Sequence, residues 1–211
     1  MQVALIDTGY ANLRSVVRAL ERAGEGLELT VHTTHDPEAI QKADHVVVPG
    51  QGGFGDCLRS LREKGTDEAV LEHIASGKPY LGICLGLQAL FEGSAEAPET
   101  PGLGVFKGRC ERLSPAPGIK IPHMGWNELA FPGAAHPVLA AAGGAGAWFY
   151  FVHSYHALPA EAGVLQAQVT HGPHQVTAAI AKDNVLATQF HPEKSQEAGL
   201  LLLRAFLSWQ N

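Results

Sequence analysis

The residues best suited to chemistry are Cys84, in Gly82-Ile83-Cys84-Leu85-Gly86, and His191 with Glu193, in Phe190-His191-Pro192-Glu193. The first pattern stands between a strand predicted over 79–83 and a helix predicted over 85–91, the context of a nucleophile elbow. Such a turn holds its central residue in a strained conformation, and Gly82 and Gly86 remove side chains that would clash with it. The sulfur then sits at a helix N-terminus, where unpaired N–H groups and the dipole favour thiolate over thiol. The Leu85 N–H faces the place where charge would develop on an attacked carbonyl. Taken alone, Cys84 fits a small buried core residue as well, the usual fate of a free cysteine. Cys57 and Cys110 have no comparable setting and read as structural or incidental.

A thiolate nucleophile needs a base that can also act as leaving-group acid, and a third group to hold that base. His191 and Glu193 supply both at the end of the last predicted strand, 185–190. On an extended chain residues two apart project to one side, so Glu193 can fix the imidazole tautomer and stabilise the imidazolium. In a parallel sheet this strand end and the Cys84 turn share the carboxyl edge, where α/β sites are built. Other histidines are weaker signals. His153 with His156, and His171 with His174, have spacings a zinc site can use, but neither pair has a nearby cysteine pair. His32, His35 and His45 read as solvated edge or loop residues, and no metal site is expected.

These residues need elements to position them, and the first half of the chain alternates strand and helix periodicities. Strands are predicted over 2–6, 27–32, 45–48 and 79–83, and helices over 12–23, from 36 onward, near 53–62 and near 67–76. Asp36-Pro37-Glu38 is a helix start, with a capping carboxylate, proline at the first helical position and an acid at the positive dipole end. Over 102–170 the helical period disappears, and glycine, proline and short apolar runs indicate a smaller antiparallel or mixed β section. A final helix spans 195–209. The pattern is that of an α/β protein with a doubly wound, mostly parallel sheet covered by helices on both faces. One domain over 1–211 is expected.

Composition narrows the classes of function. The 211 residues carry 15 Lys and Arg against 21 Asp and Glu, a formal charge of −6 that leaves no electrostatic footprint for nucleic acid. Three cysteines, an odd count, argue for a reducing compartment rather than a disulfide framework. The longest mainly apolar run, 138–152, contains three glycines and is shorter than the roughly 20 residues a spanning helix requires. No secretory signal is visible, and a cytoplasmic location with no membrane contact is expected.

Gly82-Ile83-Cys84-Leu85-Gly86-Leu87-Gln88 together with Phe190-His191-Pro192-Glu193 resembles the triad, or class I, glutamine amidotransferases, from the first strand to the last helix. The resemblance implies a flavodoxin-like fold and no cofactor. It implies that Cys84 attacks the side-chain amide of glutamine, that His191 protonates the departing ammonia, and that water hydrolyses the glutamyl thioester. Pro49-Gly50-Gln51-Gly52 resembles the family's oxyanion strand. By that carry-over the Gln51 and Leu85 N–H groups form the oxyanion hole, and Gly52, Gln88, Ser154 and Tyr155 hold the substrate. Gln88, four residues beyond Cys84, reads otherwise as an ordinary helix-surface glutamine.

Four further segments are similar to the branch of this family that serves imidazole glycerol phosphate synthases. They are Ile121-Pro122-His123-Met124-Gly125-Trp126-Asn127, His153-Ser154-Tyr155, His191-Pro192-Glu193-Lys194-Ser195 and the opening Asp7-Thr8-Gly9-Tyr10-Ala11-Asn12-Leu13-Arg14-Ser15. The opening departs from the family's usual form at Thr8 and Ala11. The branch implies a heterodimer with a separate (β/α)8 barrel cyclase that consumes the ammonia. It also implies an interface that includes Asn12, His123, Trp126 and Lys194. The pattern uses the chain to Asn211, so the ammonia is expected to pass to another polypeptide. Alternatives are a glutaminase feeding an anthranilate or pyridoxal phosphate synthase, a cysteine hydrolase or stress protein on a similar scaffold, and a non-catalytic binding module.

Overall fold

The computed structural model describes residues 1–9 and 11–210. Tyr10 of the opening motif and Asn211 lie outside the described residues. The first half of the chain runs β1 (Gln2–Ile6), α1 (Leu13–Ala23), β2 (Thr30–Thr34), α2 (Pro37–Lys42), β3 (His45–Gly50), α3 (Phe54–Glu63), α4 (Thr66–Ala75), β4 (Tyr80–Cys84) and α5 (Leu85–Gln88). The rest comprises β5 (Gly108–Arg112), β6 (His123–Glu128), α6 (Pro137–Ala141), β7 (Trp148–His153), β8 (Tyr155–Pro159), β9 (Leu165–His171), β10 (His174–Lys182), β11 (Val185–Thr188) and α7 (Gln196–Leu207), with a 3-10 turn over Pro192–Lys194.

Seven strands form the main sheet in the order β2-β1-β3-β4-β11-β10-β9. The first five are parallel, and β10 and β9 add to them in antiparallel fashion. Strand alternation divides β1 between two cores: Val3 and Leu5 point to one, Ala4 and Ile6 to the other. The first core receives Val16 and Leu20 of α1 and Leu203 and Phe206 of α7. The second receives Ile40, Leu58 and Val70 of α2, α3 and α4. Every residue of β3, β4 and β11 is buried, which is why these segments read as continuous apolar runs.

The smaller β section consists of the antiparallel pairs β5–β8 and β6–β7. Several boundaries differ from expectation. β2 begins at Thr30 rather than at 27, because its pairing with β1 starts at Gln2 opposite Thr30. A helix, α6, lies inside the region read as wholly β; its five residues, opened by Pro137, are too few to show a period. Strand β10 was not foreseen. Its Ala178-Ala179-Ile180-Ala181 stretch has weak intrinsic β propensity, and pairing on both sides makes it a strand. The helix after Cys84 is a single turn instead of running to Phe91. The carbonyls of Ala89, Leu90 and Phe91 accept hydrogen bonds from the N–H groups of Leu103, Phe106 and Gly104, which takes them from any continuing helix. Among the described residues no helix is long and apolar enough to cross a membrane.

Close approach of β3, β4 and α5 sets the position of the Cys84 turn. A Cβ on Gly86 would overlap the Val48 carbonyl oxygen, and one on Gly82 would lie 2.6 Å from the Gly86 oxygen. Gly86→Ala is therefore expected to destabilise the chain by about 1–3 kcal/mol or more, whereas Gly133→Ala, which meets nothing, should stay within about 0.5 kcal/mol. Denaturant unfolding of the two variants checks the contrast.

Candidate active site

Cys84 ends β4 with φ 55° and ψ −101°, a positive φ that costs a non-glycine residue about 1–3 kcal/mol. The sheet holds it there: Gly50 of β3 lies opposite Cys84 and Thr188 of β11 lies opposite Ile83. With α5 only one turn long, the dipole expected at the sulfur is much smaller than that of a full helix, so positioning must come from the neighbouring strands and the segment after β11. Gln189 is one such contributor, its Nε2–H donating to Cys84 Sγ at 3.5 Å.

His191 reaches the same edge by a route that differs from the expected one. β11 ends at Thr188, and Glu193 is carried back toward the ring by the 3-10 turn rather than by strand alternation. His191 Nδ1–H donates to Glu193 Oε1 at 2.8 Å, and both side chains are only 2% exposed. The backbone of His191 is clamped as well. Its N–H donates to Tyr150 O at 3.0 Å, and its carbonyl accepts from Ser195 Oγ at 2.7 Å. Ser195 Oγ in turn accepts from Tyr150 N–H at 3.0 Å. Burial by itself lowers the pKa of His191. Negative charge on and hydrogen bonding to Cys84, together with the bond and charge of Glu193, outweigh it and raise the value to about 10. Beyond Cys84, Nε2 has no hydrogen-bond partner and is the nitrogen left to serve the sulfur.

Cys84, Leu85 and His191 line one cleft of about 360 Å³ with Gln51, Gly52, Gln88, Ser154 and Tyr155. Eight of the residues expected in catalysis and substrate binding therefore share one cavity with Lys194, and Glu193 stands behind His191. Gln88 is not a surface residue: it is 2% exposed. Its Nε2 donates to Tyr155 O at 2.9 Å and to Gln189 Oε1 at 3.0 Å, leaving Oε1 as a buried acceptor with no partner. Sequence reasoning missed Gln189 and Glu96. Gln189 is two residues before His191, a spacing that could have drawn notice. Glu96 sits in a loop without periodicity and enters the cleft only by tertiary folding, with one carboxylate oxygen accepting from Phe54 N–H at 2.8 Å.

The four residues expected at an interface separate into different settings. Trp126 is 43% exposed and its neighbour Met124 is 62% exposed. Lys194 lies 5.9 Å from the centre of the Tyr150 ring, which meets Trp126 edge-on at 6.1 Å. Asn12 is exposed at the start of α1, a helix that packs against the 3-10 turn. His123 does not face outward; it is 3% exposed and stacks on Phe151 and His171. Thr8, a departure in the opening motif, is fully buried and donates to Pro49 O at 3.4 Å beside the Gln51 strand.

The other candidates resolve simply. Cys57 and Cys110 are buried; burial, followed by charge at Cys84, pushes the Cys57 thiol up to about 12. His171 and His174 close the β9–β10 hairpin, each with Nε2 on a backbone carbonyl, Lys120 O and Ser114 O. Among the described residues no group of three or more possible metal ligands converges. His32 and His35 are exposed as expected. His45 is not: it is buried beside Phe206 with Nε2 on Trp209 O, since its strand is central to the sheet.

The family model for class-I glutamine amidotransferases matches residues 4–208. A subunit HisH of imidazole glycerol phosphate synthase from Trichormus variabilis is 48% identical over 98% of this chain and 95% of its own length. The subunit of the same name from Rhodospirillum rubrum is 47% identical over 99% of both. Among solved structures, a glutamine amidotransferase crystal structure superposes with a TM-score of 0.72 at 24% identity, covering 98% of this chain and 97% of the other. PurLQS from Thermotoga maritima gives 0.74 at 19% identity with the same coverage, and these two likenesses bear on the fold. By the family model and by relatives matched along nearly their whole length, the chain belongs to the class-I glutamine amidotransferases, in the group of imidazole glycerol phosphate synthase HisH subunits.

Proposed function

We propose that this chain is the glutaminase subunit of an imidazole glycerol phosphate synthase, with Cys84, His191 and Glu193 as its catalytic triad. The carrying observation is the buried His191 imidazole, anchored through Nδ1 to Glu193 at 2.8 Å and bearing an uncommitted Nε2 in the cleft that holds Cys84. Cys84 Sγ attacks the side-chain amide carbon of glutamine and its proton passes to His191 Nε2. The N–H groups of Leu85 and Gln51 receive the oxyanion, each such donor being worth about 3 kcal/mol of barrier. His191 returns the proton to the nitrogen as the C–N bond breaks, and ammonia leaves. Water, deprotonated by His191, then adds to the thioester, and glutamate departs as the sulfur regains its proton. Glu193 keeps Nδ1 protonated and stabilises the imidazolium.

Substrate polarity matches the cleft lining. Glu96 supplies a carboxylate for the α-ammonium, the unpartnered Gln88 Oε1 supplies an acceptor, and Gly52, Ser154 and Tyr155 hold the remaining backbone atoms. The ammonia passes to a partner cyclase, a (β/α)8 barrel, docked where Trp126, Lys194 and Asn12 lie. Enclosed transfer suits the chemistry, because ammonia released into neutral water becomes ammonium, which is no nucleophile.

Cys84→Ala is expected to lower glutamate release from glutamine by at least about a thousandfold, as loss of a triad nucleophile does; an assay that still finds turnover rejects Cys84 as nucleophile. His191→Ala should suppress the glutamine-dependent synthase reaction while leaving the reaction with added ammonium salts intact, and equal loss of both marks the residue as structural. Glutaminase activity of the isolated chain should be low and rise when the cyclase and its ligand are added. Full activity of the chain alone, unmoved by any partner, rejects the coupling.

A further inference from the structure

His153, one of the residues lining the cleft, is in contact with a second buried histidine: His123 Nδ1 lies 3.1 Å from His153 Nε2. The surrounding hydrogen bonds determine where each proton sits. His153 Nδ1 is 2.9 Å from the Tyr155 carbonyl oxygen, which can only accept. His153 therefore carries its proton on Nδ1, and its Nε2 is a bare acceptor for the Nδ1–H of His123. His123 Nε2 must then accept, and Asn127 Nδ2 faces it at 3.3 Å. Asn127 is oriented independently, because its Oδ1 accepts from Glu128 N–H at 2.9 Å and its Nδ2 donates to Thr170 O at 2.9 Å. Two backbone anchors at one end and one at the other agree on a single direction of donation.

The direction continues into the cleft. The Tyr155 carbonyl that accepts from His153 also accepts from Gln88 Nε2 at 2.9 Å. Gln88 donates as well to Gln189 Oε1, and Gln189 Nε2–H donates to Cys84 Sγ. Were Gln88 flipped, its Oε1 would meet two acceptors. The Tyr155 carbonyl is the point that decides this orientation, and His153 is the buried side chain that holds it.

We propose that His153, backed by His123, is a positioning residue for the glutaminase reaction: a neutral imidazole locked as the Nδ1–H tautomer that fixes the Tyr155 carbonyl and thereby orients the Gln88 amide in the wall of the cleft. The assignment rests on the reading of Cys84 as nucleophile of a glutaminase. The pair stays neutral at ordinary pH. Burial lowers His153 to about 3 and His123 to about 4, with each further opposed by neighbouring histidines. The ionisable groups acting on His153 are His123, His171 on β9 and His156 on β8, the one acting on His123 is His171, and none is a carboxylate.

Steady-state glutaminase kinetics of the chain with its partner subunit test this. His153→Phe is expected to raise KM for glutamine by roughly tenfold, the loss of about one buried hydrogen bond, with a smaller change in kcat. His153→Asn, whose Nδ2–H replaces Nδ1–H, should recover most of that loss. A merely structural role would reduce the amount of active enzyme and leave KM unmoved. Unchanged KM in a folded His153→Phe variant, or no recovery in the Asn variant, overturns the assignment. Cys84→Ala run in parallel separates the two readings: turnover persisting there overturns the glutaminase reading itself. The wild-type chain gives a check free of variants, because nitrogen-15 NMR should find both rings as Nδ1–H tautomers that do not titrate between pH 8 and about 6. Either ring found as the Nε2–H form overturns the proposal.

Discussion

A buried imidazole with one nitrogen tied to a carboxylate and the other left without a partner beyond Cys84 is the constraint around which the site is organised. Enclosing such a pair costs desolvation, so a carboxylate and a histidine at 2% exposure persist only when their geometry is held from several sides. Here the holding is done by backbone. Tyr150 and Ser195 close a ring of hydrogen bonds on the peptide groups of His191, and the 3-10 turn keeps Glu193 under the ring. α7 packs so tightly on that turn that a Cβ on Gly199 would overlap the Pro192 carbonyl oxygen. Removing these supports would release the imidazole without touching any reacting atom.

The second support is the sheet itself. Cys84 occupies a strained backbone conformation at the end of β4, and the strain is maintained by β3 and β11 on either side and by the glycine contacts that bring α5 against Val48. The single turn of α5 leaves little helix dipole, so the sulfur's surroundings are made by side chains from the segment that follows β11, Gln189 and His191 above all. Polar groups of the cleft also have an assigned sense. The amides of Gln88 and Gln189 and the rings of His153 and His123 donate in a consistent order fixed by backbone carbonyls and N–H groups, and Gln88 is left with one buried oxygen without a partner.

Much of this was legible in the chain. Gly-Ile-Cys-Leu-Gly between an apolar strand and a helix start, with His-x-Glu at the end of a later strand, locates the pair because parallel strands share one carboxyl edge. Local periodicity does not carry across an element's end. Strand alternation would also bring His191 and Glu193 together, but the strand stops at Thr188 and the 3-10 turn does so instead. His45 read as solvated because a single polar residue beside β-branched neighbours does not disclose that its strand is central. β10 went unseen because alanine-rich segments become strands only when both neighbours supply partners.

Residue types and spacing alone picked out Cys84, His191 and Glu193 as the proposed triad and determined the α/β alternation that brings them to one edge, because these depend on local periodicity and on the small set of permitted connections. Only the tertiary structure decided which groups stand around them. Glu96, Gln189, the inward turn of Gln88 and the burial of His123 all follow from contacts between segments tens of residues apart or more. No local pattern encodes such contacts, because a hydrogen bond's direction is settled by the partner that packing delivers to it.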